Sequence, residues 1–369
     1  MFQATATSTS DNAPRVSVTD WFPFLGPHRR CSVEIFRDGI ALCLALTVIT
    51  PIERLVDVNG VRLRIVEAGP PNGPVVILAH GFPELAYSWR HQIPALAAAG
   101  YRVIAPDQRG YGGSSRPEPI NAYDIGQLTG DLVGLLDDAG AERAALIGHD
   151  WGAVVAWTAP LLHPDRVAAV AGLSVPPVPR PLTPVTDALR RIFGNSFFYM
   201  LYFQQPGVAD AEMNADPRRS LRRMLGGMRA PQDEAAALRM LAPGLEGFID
   251  RLPEPDRLPD WLTADDLDHY VAEFSRTGFT GALNWYRNYE RNWDITAHPV
   301  AETIGAPSLF IGGTDDPVLA FTKTDRAREV VVGPYRQVML DGAGHWIQQE
   351  RPEQINAELL GFLSQVHWR

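Results

Sequence analysis

Six short apolar runs, separated by stretches with helical spacing, constrain the fold of this 369-residue chain more than any other feature. Runs of this kind are typical of strands that are buried on both faces of a parallel sheet. Strands that alternate with helices form right-handed crossovers, so the pattern predicts an α/β fold with a mostly parallel sheet. The six runs are 75–79, 101–105, 144–147, 167–175, 308–311 and 337–340.

Local signals mark the ends of other elements. Asn59 and Gly60 stand between two alternating runs and predict a β-hairpin. Asp124 is the expected N-cap of a helix that stops at Gly140. Thr263 begins a Thr-x-x-Asp pattern before apolar residues at helical spacing, which predicts a capped helix.

The strand signal disappears between the fourth and fifth apolar runs, whereas helical periodicity persists. We therefore expect a helical domain over residues 176–300, inserted between two parts of the α/β core, 51–175 and 301–369. Residues 1–50 are small and polar or interrupted by prolines, so we expect an irregular N-terminal extension. A translation start at Val48 would remove most of this extension.

The composition of the chain limits the classes of partner that it is expected to bind. A net charge of −10 argues against nucleic acid, since nucleic-acid binding needs a basic surface. The basic cluster 218–223 is interpreted as the solvated face of an amphipathic helix. Both cysteines, Cys31 and Cys43, precede the regular part of the chain, which fits a reducing, cytoplasmic environment. The apolar segment 39–50 is too short to span a bilayer, so no stable membrane insertion is expected.

The segment Gly148-His149-Asp150-Trp151-Gly152 lies between an apolar run and a helical stretch. This context is typical of a nucleophile elbow, in which a sharp strand-to-helix turn presents the central side chain. Serine is the familiar residue at the centre, whereas this chain has an aspartate. The pattern therefore predicts Asp150 as a carboxylate nucleophile.

An acid and a histidine are expected after the nucleophile, each following a strand. His345 follows the last apolar run and is the predicted general base. Asp316 follows the run before it and is expected to orient His345, with Asp315 as the alternative. The carboxyl ends of strands in an open α/β sheet meet at the place where such sites form. The other eight histidines are interpreted as structural.

The loop His80-Gly81-Phe82-Pro83 follows the first apolar run. Its backbone N–H at Phe82 is expected to pair with the N–H of Trp151 and to form an oxyanion hole. The sequence has no histidine or cysteine cluster with the spacing of metal ligands. We expect neither a metal nor another cofactor.

Several segments together carry a resemblance to one family. They resemble the soluble epoxide hydrolases of the α/β-hydrolase fold, most closely the bacterial, mycobacterial-type members, over about residues 51–369 and not over 1–50. The segments are HGFPELAYSWRHQIPAL, DQRGYGGSSRP, GHDWG, FFYMLYFQQPGVADAE, TGFTGALNWYRNYERNW and GAGHWIQQE. The resemblance implies a helical cap over the core, conversion of a small hydrophobic epoxide to a diol, and a role in detoxification of lipid epoxides.

The resemblance also implies that two cap tyrosines act as acids on the epoxide oxygen. Matched motif to motif, these are Tyr286 in NWYRN and Tyr199 in FFYMLYFQ. Tyr202 lies three residues further on, on much the same helical face, and stays an alternative to Tyr199. Without the resemblance, both tyrosines would be interpreted as core or lid aromatics. The sequence leaves a homodimer open.

The elbow aspartate fits this chemistry. Attack by a carboxylate on an epoxide carbon forms an ester, which water can cleave at the carbonyl. A serine would form an ether, which hydrolysis cannot undo. The aspartate therefore serves first as nucleophile and then as acyl group.

Two alternative functions remain. Haloalkane dehalogenases resemble this chain in fold and elbow aspartate, but they typically offer an asparagine to the halide where this chain has Phe82. Fluoroacetate dehalogenases favour arginine where this chain has Trp151. A non-catalytic binder of a hydrophobic ligand would also suit the scaffold, although such a protein need not keep the nucleophile, base and acids that this chain has.

Overall fold

The computed structural model describes residues 6–7, 15–17, 32–34, 50–228, 234–320, 322 and 324–368. Contacts divide the chain into two units, Met1–Val48 and Ile49–Arg369. In the first unit, three short strands that the sequence pattern did not predict form an antiparallel sheet. Both cysteines and the apolar segment 39–49 lie outside the described residues. The three strands are β1 (Ala6–Thr7), β2 (Arg15–Ser17) and β3 (Ser32–Glu34).

The second unit contains an eight-stranded sheet. Its strands are β4 (Ile52–Val58), β5 (Val61–Ala68), β6 (Val75–Ala79), β7 (Arg102–Pro106), β8 (Ala144–His149), β9 (Val167–Leu173), β10 (Ser308–Gly313) and β11 (Tyr335–Leu340). Their order is β11-β10-β9-β8-β6-β7-β5-β4. The pairs from β11 to β7 are parallel, and β5 is antiparallel to both of its neighbours. The predicted mostly parallel α/β sheet is confirmed.

All six predicted strands are present, with small differences at their ends. β8 continues to His149, directly before the elbow. β9 stops at Leu173, because Ser174 leaves the extended region with a φ of 64°. The predicted hairpin is also confirmed, since Val58 pairs with Val61 across the Asn59-Gly60 turn.

In the described part of the chain, five α-helices lie next to strands of the sheet in sequence, and the two predicted helix starts are confirmed. Asp124 accepts a hydrogen bond from the backbone N–H of Gln127 at 2.9 Å. Thr263 and Asp266 form a reciprocal capping box. The five helices are α1 (Gln92–Ala98), α2 (Ile125–Asp138), α3 (Trp151–Leu162), α13 (Ile347–Glu350) and α14 (Pro352–Leu363).

Between β9 and β10 the described residues form helices and no strand. The division of the chain at residues 176 and 300 stays a prediction. These helices are α4 (Val185–Phe193), α5 (Tyr199–Tyr202), α6 (Val208–Ala215), α7 (Pro217–Gly227), α8 (Glu234–Leu241), α9 (Phe248–Arg251), α10 (Ala264–Thr277), α11 (Thr280–Tyr286) and α12 (Tyr289–Ile295).

The basic cluster lies on α7, as expected for an amphipathic helix. The helix buries Leu221, Met224 and Leu225. Arg219 lies on the opposite side and pairs with Asp250. No helix among the described residues combines the length and the apolar character needed to cross a lipid bilayer.

Side chains alternate across the sheet and form two apolar clusters. Ile77 and Leu146 belong to one cluster, and their neighbours Leu78 and Ile147 belong to the other. The first cluster also includes Trp285 and other aromatic side chains from the helices between β9 and β10. The packing therefore fixes those helices against the core that carries the predicted site.

Candidate active site

The turn between β8 and α3 presents Asp150 in a strained backbone conformation. Its φ and ψ are 51° and −120°, a region that side chains other than glycine rarely adopt. The turn is close to β6: a Cβ atom on Gly152 would lie 2.0 Å from the carbonyl oxygen of Ala79. Only glycine fits at that contact, so the tight turn predicted from the sequence has a steric cause.

The two carboxylate oxygens of Asp150 have different neighbours. Oδ1 accepts a hydrogen bond of 2.8 Å from the backbone N–H of Phe82. Oδ2 lies 3.6 Å from Nε2 of His345. The Trp151 N–H, expected to pair with that of Phe82, makes no hydrogen bond to this carboxylate. The structure thus brings together Asp150, Phe82 and His345.

His345 is held from its other ring nitrogen by Asp316. Nδ1 lies 3.0 Å from each carboxylate oxygen of this buried aspartate. Asp315, the alternative from the sequence, is exposed. Burial alone would lower the pKa of His345, but the carboxylates of Asp316 and Asp150 outweigh burial and raise this pKa well above 6.5. Nε2 has no hydrogen-bond partner among the residues that the structure describes, so it is free to contact a substrate or a water molecule.

Tyr199 and Tyr286 both line the cavity above Asp150, and their ring centroids are 6.2 Å apart. No hydrogen bond to another described residue engages either hydroxyl. Burial, and then the negative charge of Asp150, raise the pKa of both phenols above 10.0. Tyr202 does not line the cavity, and its hydroxyl donates to Glu212 at 3.1 Å.

The cavity has a volume of about 690 Å³ and a mostly apolar wall. Asp150 and His345 lie on its core side, and the helices between β9 and β10 form much of the remainder. Four of the seven methionines of the chain contribute to the wall, and their flexible side chains adapt to ligands of varied shape. These are Met200, Met224, Met228 and Met240.

Next to the site, Glu84 was not assigned a role from the sequence, and His149 was interpreted only as structural. Glu84 is fully buried, and its Oε2 lies 2.6 Å from Nδ1 of His149, the residue before Asp150. Burial alone would raise the pKa of Glu84, but the adjacent His149 outweighs it and lowers this pKa from 4.5 to about 2. No local sequence signal indicates this contact, because Glu84 and His149 lie 65 positions apart in the chain.

Metal binding finds no support in the described part of the chain. No group of three or more His, Cys, Asp or Glu side chains there is arranged to hold a metal ion. The groups near the cavity are instead those of nucleophilic and acid–base chemistry: a carboxylate, an imidazole paired with a second carboxylate, and two phenols.

The elbow aspartate, the histidine and acid after later strands and the sheet order define a hydrolase of the α/β-hydrolase fold. In agreement, a family model described as the alpha/beta hydrolase fold matches residues 74–352.

Individual relatives indicate a more specific activity than the family model does, and those described next are all epoxide hydrolases. Epoxide hydrolase A of Mycobacterium tuberculosis is 70% identical over 319 residues, which are 86% of this chain and 99% of that protein. Epoxide hydrolase 3 of Siraitia grosvenorii is 40% identical over 84% of this chain and 97% of that protein. The crystal structure of epoxide hydrolase A from Mycobacterium thermoresistibile matches with a TM-score of 0.85 and 68% identity, over 87% of this chain and all of that one. The chain belongs to the epoxide hydrolases of the α/β-hydrolase fold, and the resemblance read from its motifs is confirmed.

Proposed function

We propose that this enzyme converts an epoxide and water to a vicinal diol through a covalent ester on Asp150. The observation that carries the proposal is the unequal environment of the two Asp150 oxygens. Oδ1 accepts the Phe82 N–H, whereas Oδ2 faces His345 at 3.6 Å without a backbone donor. One oxygen is therefore held as a future carbonyl oxygen, and the other is free to attack.

In the first step, Oδ2 attacks a carbon of the strained ring, and the bond from that carbon to the ring oxygen breaks. The electron pair passes to the ring oxygen, to which Tyr199 and Tyr286 donate hydrogen bonds or a proton. The raised pKa of each phenol keeps it protonated at neutral pH, so each remains a donor. Tyr202 is disfavoured as an acid, because its hydroxyl already donates to Glu212.

In the second step, a water molecule gives a proton to Nε2 of His345 and attacks the ester carbon, Cγ of Asp150. Negative charge develops on Oδ1, where the Phe82 N–H donates and the Trp151 N–H is proposed to join it. The bond from Cγ to the alkyl oxygen then breaks, and His345 returns its proton to the departing diol. The proton left on the Asp150 carboxyl group passes to the tyrosine that gave one in the first step, which restores the starting enzyme. Asp316 is proposed to hold the imidazole in orientation throughout.

The cavity favours a hydrophobic epoxide. Its wall is apolar apart from the reacting groups and a few polar side chains, and the methionines allow more than one substrate shape. The helical residues 176–300 are proposed to act as the cap that encloses the substrate. A cytoplasmic location and a homodimer stay predictions from the sequence.

Dehalogenation is the second candidate, and the site disfavours it. Phe82 offers its backbone N–H to Asp150 and has no side-chain donor for a halide. A substrate panel separates the candidates: diol formation from styrene oxide supports epoxide hydrolysis, halide release from a bromoalkane supports dehalogenation, and binding without turnover supports a binder.

His345→Gln tests the covalent mechanism. This variant keeps the nucleophile and both tyrosines but lacks the base that activates water, so the ester is expected to accumulate. Intact-mass spectrometry with an epoxide should show protein heavier by one substrate mass, with the adduct on the peptide that contains Asp150. An Asp150→Ala control should show no adduct. Diol formation at the parental rate without an adduct would refute the mechanism.

A further inference from the structure

Arg251 is a buried cation in the wall of the substrate cavity. It ends α9, is only 2% exposed, and places its guanidinium carbon 4.1 Å from the centroid of the Phe197 ring. Its hydrogen bonds go to backbone carbonyls, from Nε to Glu246 at 3.1 Å and from Nη1 to Arg239 at 2.9 Å. Among the described residues, no carboxylate lies within ion-pair distance of it. Buried arginines are ordinarily paired with an anion, so this one has an unsatisfied charge.

The neighbouring carboxylates are engaged elsewhere. Glu212 accepts hydrogen bonds from the first N–H groups of α9, at Phe248 and Ile249. Asp250 pairs with Arg219. The side chain of Glu246 is exposed, and Arg251 contacts only its backbone oxygen. The anion that would pair with Arg251 is therefore expected to belong to the ligand in the cavity.

The charges of the cavity wall support this conclusion. Besides His345, which lies beside Asp150, the lining residues with charged side chains are Asp150, on the core side, and two arginines from the helices, Arg239 and Arg251. Nη2 of Arg251 makes no hydrogen bond to a described residue, whereas the two carbonyls and the Phe197 ring hold the guanidinium in one orientation. A fixed guanidinium with a free edge binds a carboxylate through two parallel hydrogen bonds.

We propose that Arg251 is a specificity-determining residue that binds the carboxylate of an amphipathic epoxide. In this arrangement the acid group lies at Arg251, the apolar chain follows the methionine-rich wall, and the ring lies at Asp150. The inference rests on the proposed function, since it names the class of substrate that this same cavity selects. Neutral epoxides that do not reach Arg251 remain substrates without this contact.

The first experiment uses the unaltered protein. We expect kcat/KM for diol formation from the epoxide of oleic acid to exceed that for its methyl ester by about tenfold or more, because a hydrogen bond to a charged group is lost in the ester. Styrene oxide serves as a neutral reference. Equal or better use of the methyl ester would overturn the proposal. Absence of diol from all three epoxides would instead refute the proposed function.

Arg251→Met removes the charge and keeps an apolar side chain. The preference for the acid over the ester should disappear in this variant, mainly through a higher KM for the acid. A merely structural role for Arg251 would lower turnover of all three substrates together and would leave the preference unchanged. Arg218→Gln, which removes a cation paired with Asp268 away from the cavity wall, is the matched control and should keep the preference.

A binding measurement does not depend on turnover of the long-chain epoxide. Oleate should inhibit styrene oxide hydrolysis competitively and about tenfold more strongly than oleyl alcohol. The difference should vanish in Arg251→Met. If Arg251→Met does not fold, Arg251→Lys provides the comparison, since it keeps the charge but lacks the planar fork and should keep only part of the difference. Equal inhibition of the unaltered protein by the acid and the alcohol would overturn the proposal.

Discussion

Glu84 and His149 form a fully buried contact of 2.6 Å. His149 is the residue directly before Asp150 in the chain. Glu84 also accepts a hydrogen bond from the Gly81 N–H at 3.0 Å, and Nε2 of His149 lies 2.8 Å from the backbone oxygen of His345. Both ring nitrogens of His149 therefore lie within hydrogen-bond distance of an oxygen atom. The pair therefore connects the loop that holds the nucleophile's oxygen to the loop that carries the base.

Glu84→Gln should destabilise the protein at neutral pH. A carboxyl group whose folded pKa is lowered stabilises the fold above its unfolded pKa, 4.5, and loses that contribution as the pH falls through about 2. The difference between these two values corresponds to about 3 kcal/mol at pH 7. Urea unfolding at pH 7 and at pH 4 should show the larger loss at pH 7.

The matched control for Glu84 is Glu329→Gln. Glu329 pairs with Arg326 on the surface, and both side chains are about half exposed. Exposed ion pairs contribute little to stability, so the unfolding midpoint should hardly change. An equally small change in Glu84→Gln would contradict the structural role given to the buried pair.

Tyr199→Phe and Tyr286→Phe should each slow ring opening by roughly 10²-fold or more, since each removes one acid and almost no volume. Single-turnover kinetics with styrene oxide would measure the alkylation step directly. Tyr202→Phe is the control from the same helix and should leave that step near the parental rate. The assignment fails if Tyr202→Phe is the damaging change and Tyr199→Phe is harmless.

Gly81→Ala should leave a folded protein with little activity. A Cβ atom at this position would lie 2.4 Å from Cβ of Asp150 and 2.6 Å from its Oδ1, so the nucleophile must move. A displacement of about 1 Å can cost about 10²-fold in rate. Gly361→Ala on α14 has open space around it and should retain full activity. Equal kcat values for the two variants would show that the loop position does not matter.

The sequence predicts those parts of the site that depend on chain order. Asp150, Asp316 and His345 each follow a strand of a parallel sheet, so the sheet alone brings them to one edge. The choice between Asp315 and Asp316 depends on which of two adjacent side chains turns inward, which spacing does not determine. Similarly, Tyr199 and Tyr202 share a helical face.

Contacts between distant segments account for what the sequence could not provide. Glu84 meets His149 across 65 positions and Gln348 across 264, so no local pattern indicates that it is a buried charge. In the sequence, nothing distinguishes Arg251 from an ordinary cation in a polar segment. Only the fold places it in the cavity wall. Tyr202 is disfavoured as an acid because its hydroxyl donates to Glu212, which lies on another helix.

A chain that starts at Val48 should keep the thermal midpoint and the diol-forming rate of the full chain. Contacts separate Met1–Val48 from Ile49–Arg369, and the family model begins only at residue 74. Thermal unfolding and styrene oxide turnover of the two proteins, measured side by side, check this expectation. A large loss of either property would show that the extension contributes to the working structure.

The base of the second step should become easier to deprotonate once Asp150 carries the ester. Burial lowers the pKa of His345, and the charges of Asp316 and Asp150 together raise it well above 6.5. Esterification removes the charge of Asp150, and Asp150→Asn imitates that loss. The pKa of His345 in Asp150→Asn should therefore lie below that of the parent protein, as a proton NMR titration of the ring can measure.

The raised pKa of His345 also makes the stability of the fold depend on pH. A histidine whose folded pKa is raised stabilises the fold fully below its unfolded pKa, near 6.5, and loses that contribution as the pH rises through the folded value. Asp150→Asn should lose this stabilising contribution at a lower pH than the parent protein does, because the folded pKa of His345 is lower in the variant. Thermal midpoints recorded from pH 6.5 upward would reveal the difference, with Asp315→Asn as a control, since Asp315 is exposed and does not contact the ring. A His345 pKa in Asp150→Asn at or above the parental value would show that Asp150 does not tune the base.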